Sequence, residues 1–140
     1  HRKSFLKNLS LRPAPNRGQQ GEDAATRWLT EHGYRILARN ARYPCGEIDI
    51  IAANGAYIAF VEVKQRGLGS IDRPAAWVDK TKQKKILQAA AQWLSENPTD
   101  LQPRFDVVEV SGEENEINLI QNAFIAEEDS SQKDSIHILI

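Results

Sequence analysis

The sequence predicts an α/β fold with a mixed central sheet flanked by helices. Three observations carry that prediction. Residues 18–32 and 78–96 place apolar side chains at helical spacing. Residues 34–40, 48–53, 57–64, 104–110 and 116–120 are short runs rich in β-branched and apolar residues. The resulting order, helix, three strands, helix, then strands, suits a sheet covered by helices.

In chain order, residues 1–17 hold Pro13 and Pro15 and no periodic pattern, and read as a basic arm ahead of the domain. In the helix over 18–32, Ala25, Trp28, Leu29 and His32 recur on one side, and Gly33 stands where a stop glycine belongs. His32 is expected to interact with the dipole at that helix end. "YRILARN" at 34–40 reads as a strand. "IDIIAA" and "YIAFVEVK" flank Asn54-Gly55, a strong hairpin signal. Residues 65–76 read as a loop, and the helix over 78–96 stops before Pro98. "RFDVVEV" and "EINLI" supply the remaining strands. Residues 126–140 form an acidic C-terminal extension, with 126–135 read as loop or disorder.

At 140 residues the chain fits one domain, here 18–125, and buries a core without disulfides. The single cysteine, Cys45, excludes a disulfide framework and a cysteine-based zinc site, and points to a reducing, cytoplasmic setting. No apolar run approaches the about 20 residues that cross a bilayer, so no membrane is expected. The start shows no signal-peptide pattern and no Met, so trimming of the natural start is expected. Net charge is −1 but unevenly spread. Residues 1–104 carry 17 Lys/Arg against 10 Asp/Glu, and residues 105–140 carry one against nine. Basic stretches at 1–17 and 64–85 suggest a polyanion surface, although lysines placed like Lys80, Lys82, Lys84 and Lys85 are more often a solvated helix face than a DNA contact.

The hairpin brings acids together. With Asn54 and Gly55 as the turn, Ala53 pairs with Ala56, Asp49 with Phe60, and Glu47 with Glu62. Alternation then puts Glu47, Asp49, Phe60, Glu62 and Lys64 on one face. Asp49 and Glu62 become diagonal neighbours at roughly 7–8 Å, a gap that two carboxylates close around one cation. Ile48, Ile50, Val61 and Val63 form the opposite, core-like face. Burying unpaired carboxylates costs several kcal/mol, and Lys64 alone does not neutralise three acids, whereas a divalent cation does. Glu22 lies at the edge of the packing side of the first helix, and Gln83 falls one turn before Leu87 in the second.

Mg2+ or Mn2+ takes oxygen ligands and keeps waters. Asp49, Glu62 and the backbone carbonyl of Val63 would hold one, with Glu22 as a further ligand or water holder. The ion activates a water and polarises a phosphoryl oxygen. Lys64 would orient that water or stabilise developing charge. Arg66, Lys80, Lys82, Lys84 and Lys85 would grip the phosphate backbone. Simpler readings stand beside these. Glu62 and Lys64 also read as an exposed strand pair, Glu22 as a first-turn acid favoured by the dipole, Gln83 as a cap, and Asp106 as a partner for Arg104. Trp28, Trp77 and Trp93 read as packing residues.

An acid on one strand followed by E-x-K on the next, "FVEVKQR", resembles the PD-(D/E)XK nuclease superfamily. "GEDAATRWLTEHGYRILARNARYPCGEIDIIA", "KQKKILQAAAQWL" and "RFDVVEV" are similar, in order and spacing, to the YraN-like family over roughly residues 18–125. The resemblance implies a restriction-endonuclease-like core related to Holliday-junction resolvases. It implies a site at Glu22, Asp49, Glu62 and Lys64 with Gln83 nearby, and a DNA substrate that is branched or damaged. Some family members carry Arg at the position of Lys64; this chain keeps Lys. A homodimer fits a two-fold symmetric substrate. Two rivals stay open: a DNA-binding or scaffold protein that keeps the fold with little turnover, and a metal-binding module that meets a protein partner through its acidic C-terminal part.

Overall fold

A computed structural model describes residues 17–66 and 78–125. The reading of most of the arm, of the loop beyond residue 66 with Trp77, and of the acidic extension lies outside those residues. The described elements are helix α1 (Arg17–Glu31), strands β1 (Arg35–Tyr43), β2 (Gly46–Asn54) and β3 (Tyr57–Arg66), helix α2 (Lys80–Glu96), and strands β4 (Gln102–Ser111) and β5 (Glu116–Phe124). Every predicted element is present. Each strand is longer than its apolar run, because pairing with a neighbour extends a strand past its buried residues. The loop expected over 65–76 is corrected at its start, because Gln65 and Arg66 still pair with β4.

The five strands form one sheet in the order β1-β2-β3-β4-β5. β3 and β4 are parallel and the other neighbours antiparallel, so the sheet is mixed. α2 lies on the crossover that parallel pairing of β3 with β4 requires. Helices cover both faces. On one, Ala25 and Leu29 of α1 pack on Ile50, Ala52, Ala59, Val61, Val108 and Val110. On the other, Ile86, Ala89 and Ala90 of α2 pack on Ile48, Ile51, Ile58, Phe60 and Val107. Phe60, Phe105 and Phe124 stack across the α2 side, with centroids 5.6 and 5.2 Å apart, and Trp93 meets Phe60 edge-on. The face expected to be only partly buried is thus a second core, as in other sheets covered on both sides.

Two register expectations change. The turn residues are Gly55 and Ala56, not Asn54 and Gly55, and Asn54 pairs with Tyr57, Ile51 with Phe60, and Ile50 with Val61. Gly55 has φ 61°, while Asn54 and Ala56 lie outside the left-handed region. That matches a turn with glycine at its first central position, which leaves Asn54 in the strand. The shift is two residues, so by itself it moves no side chain to the other face. Continuing the register sets Asp49 directly across from Glu62 instead of Phe60.

Ile48 also leaves its expected face and joins Ile51 and Phe60 against α2. Strict alternation breaks here because Asn40 of β1, across from Asp49 in the register, has φ 51°. The ladder of β2 with β3 also ends at Ile50 and Val61, just before this point. At the far end of α1, Gly33 with φ 88° ends the helix as expected, and the His32 ring nitrogen Nδ1 lies 2.7 Å from the Trp28 carbonyl. Among the described residues, no helix is long and apolar enough to cross a membrane.

Candidate metal and phosphate cleft

The cleft is built where β2 and β3 stop pairing. In a continued ladder the Val63 N–H would reach toward Ile48. It donates instead to Asp49 Oδ2, at 2.8 Å. A strand residue turns its N–H and C=O to the same side. The Val63 carbonyl therefore faces the Asp49 edge as well. Glu62, across from Asp49, is buried with 7% exposure.

α2 forms the opposite wall. Asp79 caps it, its Oδ1 accepting the Lys82 N–H at 2.8 Å. Between β2, β3 and α2 lies a cleft of about 510 Å³, lined by Gly46, Glu47, Asp49, Glu62, Lys82 and Lys85 among others. The helix comes close because residue 46 is glycine. A Cβ there would stand 2.6 Å from the Lys85 carbonyl oxygen. Backbone does not yield as a side chain does. Gly46→Ala is therefore expected to destabilise the protein by about 1–3 kcal/mol, read as a lower melting temperature with the Gly55→Ala variant for comparison.

The cleft floor concentrates negative charge. Burial first, then the charge of Glu62, push the Asp49 carboxyl up to about 7, against the opposing hydrogen bond from Val63. The charge of Glu22 adds to the rise and that of Lys82 reduces it. Lys82 Nζ contacts Glu62 Oε1 at 2.6 Å. Burial works against the Lys82 ammonium, but the hydrogen bond and charge of Glu62 together with the charges of Asp49 and Asp79 outweigh it and raise its pKa.

The structure therefore brings Asp49, Glu62 and the Val63 backbone together, with Lys82 added. Glu22 stands apart from the cleft lining. Its carboxylate accepts from Asn40 Nδ2 at 2.9 Å and lies 3.0 Å from Arg39 Nη2. Among the described residues no group of three acidic, histidine or cysteine side chains converges as metal ligands. Lys64, the next residue on the face of Glu62, pairs in register with Glu109. Glu109 is a further buried acid, held by Arg66 at 3.4 Å and by Asn118 at 2.9 Å. Lys80 and Lys84 are exposed on α2. Gln83 turns away from the cleft and donates to the Val78 carbonyl at 2.6 Å, which is the capping reading of that residue.

Sequence reasoning missed the role of Lys82, although a signal was present. The buried face of α2 is Ile86, Ala89 and Ala90. Counting one turn back from Ile86 and Ala89 gives Lys82 and Lys85, the two lysines that line the cleft. The expectation for Gln83 came from a face drawn through Ile86, Leu87, Ala90 and Leu94, of which Leu87 and Leu94 are only partly buried while Ala89 is buried.

The chain matches the model of the uncharacterised protein family UPF0102 over residues 21–110. That span holds α1 to β4 almost entirely and every candidate site residue. A UPF0102 protein of Desulfosudis oleivorans is 48% identical over 110 residues, covering 78% of this chain and 89% of the relative. One of Symbiobacterium thermophilum is 44% identical over 113 residues, covering 78% and 96%. One of Geobacter metallireducens is 44% identical over 110 residues, covering 76% and 90%.

Proposed function

The chain belongs to the UPF0102 family, the YraN-like family of the resemblance, and from its cleft we propose that it is a metal-dependent DNA endonuclease of the cytoplasm. The observation that carries the reading is the facing pair of half-buried Asp49 and buried Glu62 beside the Val63 backbone. Two carboxylates and a carbonyl form the hard-oxygen donor set that Mg2+ or Mn2+ accepts while keeping waters. The raised Asp49 marks negative charge that the protein leaves incompletely compensated, so the donor set fits a divalent cation. Asp49, Glu62 and the Val63 carbonyl would hold the ion. When bound, it supplies Lewis acidity to a phosphoryl oxygen and to a water.

The chain's own residues do the rest. Lys64 shares the face of Glu62 and would orient the attacking water or offset charge on the phosphate. Glu22, tied to Arg39 and Asn40 of β1, would hold a water at the cleft edge. Lys80, Lys84, Lys85 and Arg66 would contact phosphates along the strand, giving binding that weakens with salt. Gln83 would act through the backbone it caps. Branched or damaged DNA is the substrate class to screen first, and a homodimer would supply two sites to a symmetric branch.

The test is cleavage of branched and linear DNA in Mg2+ or Mn2+ by wild type and by the double variant Asp49→Asn, Glu62→Gln. Wild type is expected to cleave, and the double variant to lose at least about a hundredfold in rate, the order seen when a charge-stabilising group is removed. Equal cleavage by both would sink the assignment. Salt-dependent DNA binding that ignores metal and Asp49, without cleavage, would favour the scaffold reading instead.

A further inference from the structure

The positive charge that meets Glu62 comes from α2 and not from the E-x-K strand. Lys82 Nζ lies 2.6 Å from Glu62 Oε1, while among the described residues the Lys64 side chain makes no hydrogen bond or ion pair. The two partners differ sharply in exposure. The Glu62 side chain is 8% exposed and fixed in the sheet, whereas the Lys82 side chain is 50% exposed at the cleft mouth. Its backbone is pinned by the Asp79 cap, so only the flexible stem moves. One ammonium also under-compensates a floor of two carboxylates, Asp49 and Glu62.

We propose that Lys82 is a displaceable placeholder that couples metal binding to nucleic acid binding. This rests on the endonuclease reading above. Without metal, the ammonium sits against the carboxylate that the cation needs. A divalent ion brings twice the charge to Asp49 and Glu62 and repels the ammonium. The freed side chain swings to the open mouth beside Lys85, where a phosphate takes it as partner. Metal thereby improves phosphate binding, and by reciprocity phosphate improves metal binding. The cleft would load its ion most readily with DNA in place, which limits stray hydrolysis.

The experiment is calorimetric titration of Mn2+ into wild type, Lys82→Met and Lys82→Arg, each with and without a short linear DNA duplex. Far-ultraviolet circular dichroism confirms that the variants fold, as expected for a half-exposed site. Lys82→Met is expected to bind Mn2+ about tenfold more tightly than wild type without DNA, about 1.4 kcal/mol. It should show little further gain when DNA is added. Wild type and Lys82→Arg should bind more weakly alone and gain several-fold with DNA. Equal or weaker Mn2+ binding by Lys82→Met, with wild type binding normally, overturns the placeholder and leaves the metal site standing. No Mn2+ binding by wild type or Lys82→Met, with or without DNA, removes the metal site itself and the placeholder with it.

Discussion

Asp49→Asn is expected to be more stable than wild type at pH 8, by up to about 4 kcal/mol. The Asp49 carboxyl moves from an ordinary 3.8 to about 7 in the fold, because it is buried and faces Glu62. A rise of about three units at about 1.4 kcal/mol each gives that ceiling. The sign follows from proton binding. The folded state holds this proton more tightly than the unfolded chain. The favourable contribution is therefore complete below about pH 4 and is lost as pH rises towards 7. Above that, the fold carries the full cost of an ionised acid. Asn keeps an oxygen for the Val63 N–H and removes the charge, so its advantage should vanish at pH 4 and grow to pH 8. Urea melts at several pH values read this directly. Saturating Mn2+ should narrow the gap, stabilising wild type by about 2.7 kcal/mol at a hundred times its Kd and leaving Asp49→Asn unchanged. Equal stability of the two proteins at pH 8 would mean that Asp49 is not held ionised against Glu62. Two carboxylates held face to face in the cleft thus weaken the fold at neutral pH unless a cation joins them.

The elements were legible because their signals are local: spacing in the helices, β-branched runs in the strands, Gly33 as a stop. The meeting of Asp49 and Glu62 at one cleft was legible because a two-residue error in the turn leaves alternation untouched. What was not legible depends on contacts between distant segments. Asn54-Gly55-Ala56 offers two turns that differ in which residue takes φ above zero, and packing of Ile51 on Phe60 selects the later one. The side of Ile48 depends on Asn40, eight residues away on another strand. Among four lysines within six residues of α2, the one that meets Glu62 is decided by how the helix rotates on the sheet. The tie of Glu22 to Arg39 and Asn40 depends likewise on where α1 lands beside β1. Motif spacing names the acids, and only the assembled fold names their counter-charges.

Asp106→Ala is expected to destabilise the protein by about 3–5 kcal/mol, the cost of leaving one member of a buried ion pair alone. The simple reading of Asp106 as a partner for Arg104 holds, and the structure enlarges it. Asp106 is fully buried. Its carboxylate accepts from Arg104 Nε at 2.9 and 3.1 Å, from Arg104 Nη2 at 2.9 Å, and from the Asn122 N–H at 2.9 Å. Arg104 in turn donates to the Tyr34 hydroxyl and lies over the Tyr57 ring. The register of β4 with β5 shifts between Phe105 and Val107, and Asn122 across from it has φ 56°. The carboxylate therefore closes the irregularity by taking the N–H that the ladder leaves over. Alanine strands both that N–H and the guanidinium. Asn is a poor substitute, because it turns an NH2 group toward Arg104. Replacing both partners, Arg104→Met with Asp106→Leu, should recover much of the loss, since no buried charge then remains. A thermal melt should show a drop of more than about 10 °C for Asp106→Ala, and the double variant should fall well short of it. Mn2+ affinity is the control. Asp106 bonds Arg104 and β5, away from the cleft, so its loss should leave Kd for Mn2+ unchanged below the melting transition. A changed Kd would mean that this buried pair sets the position of the acids as well as the stability of the sheet.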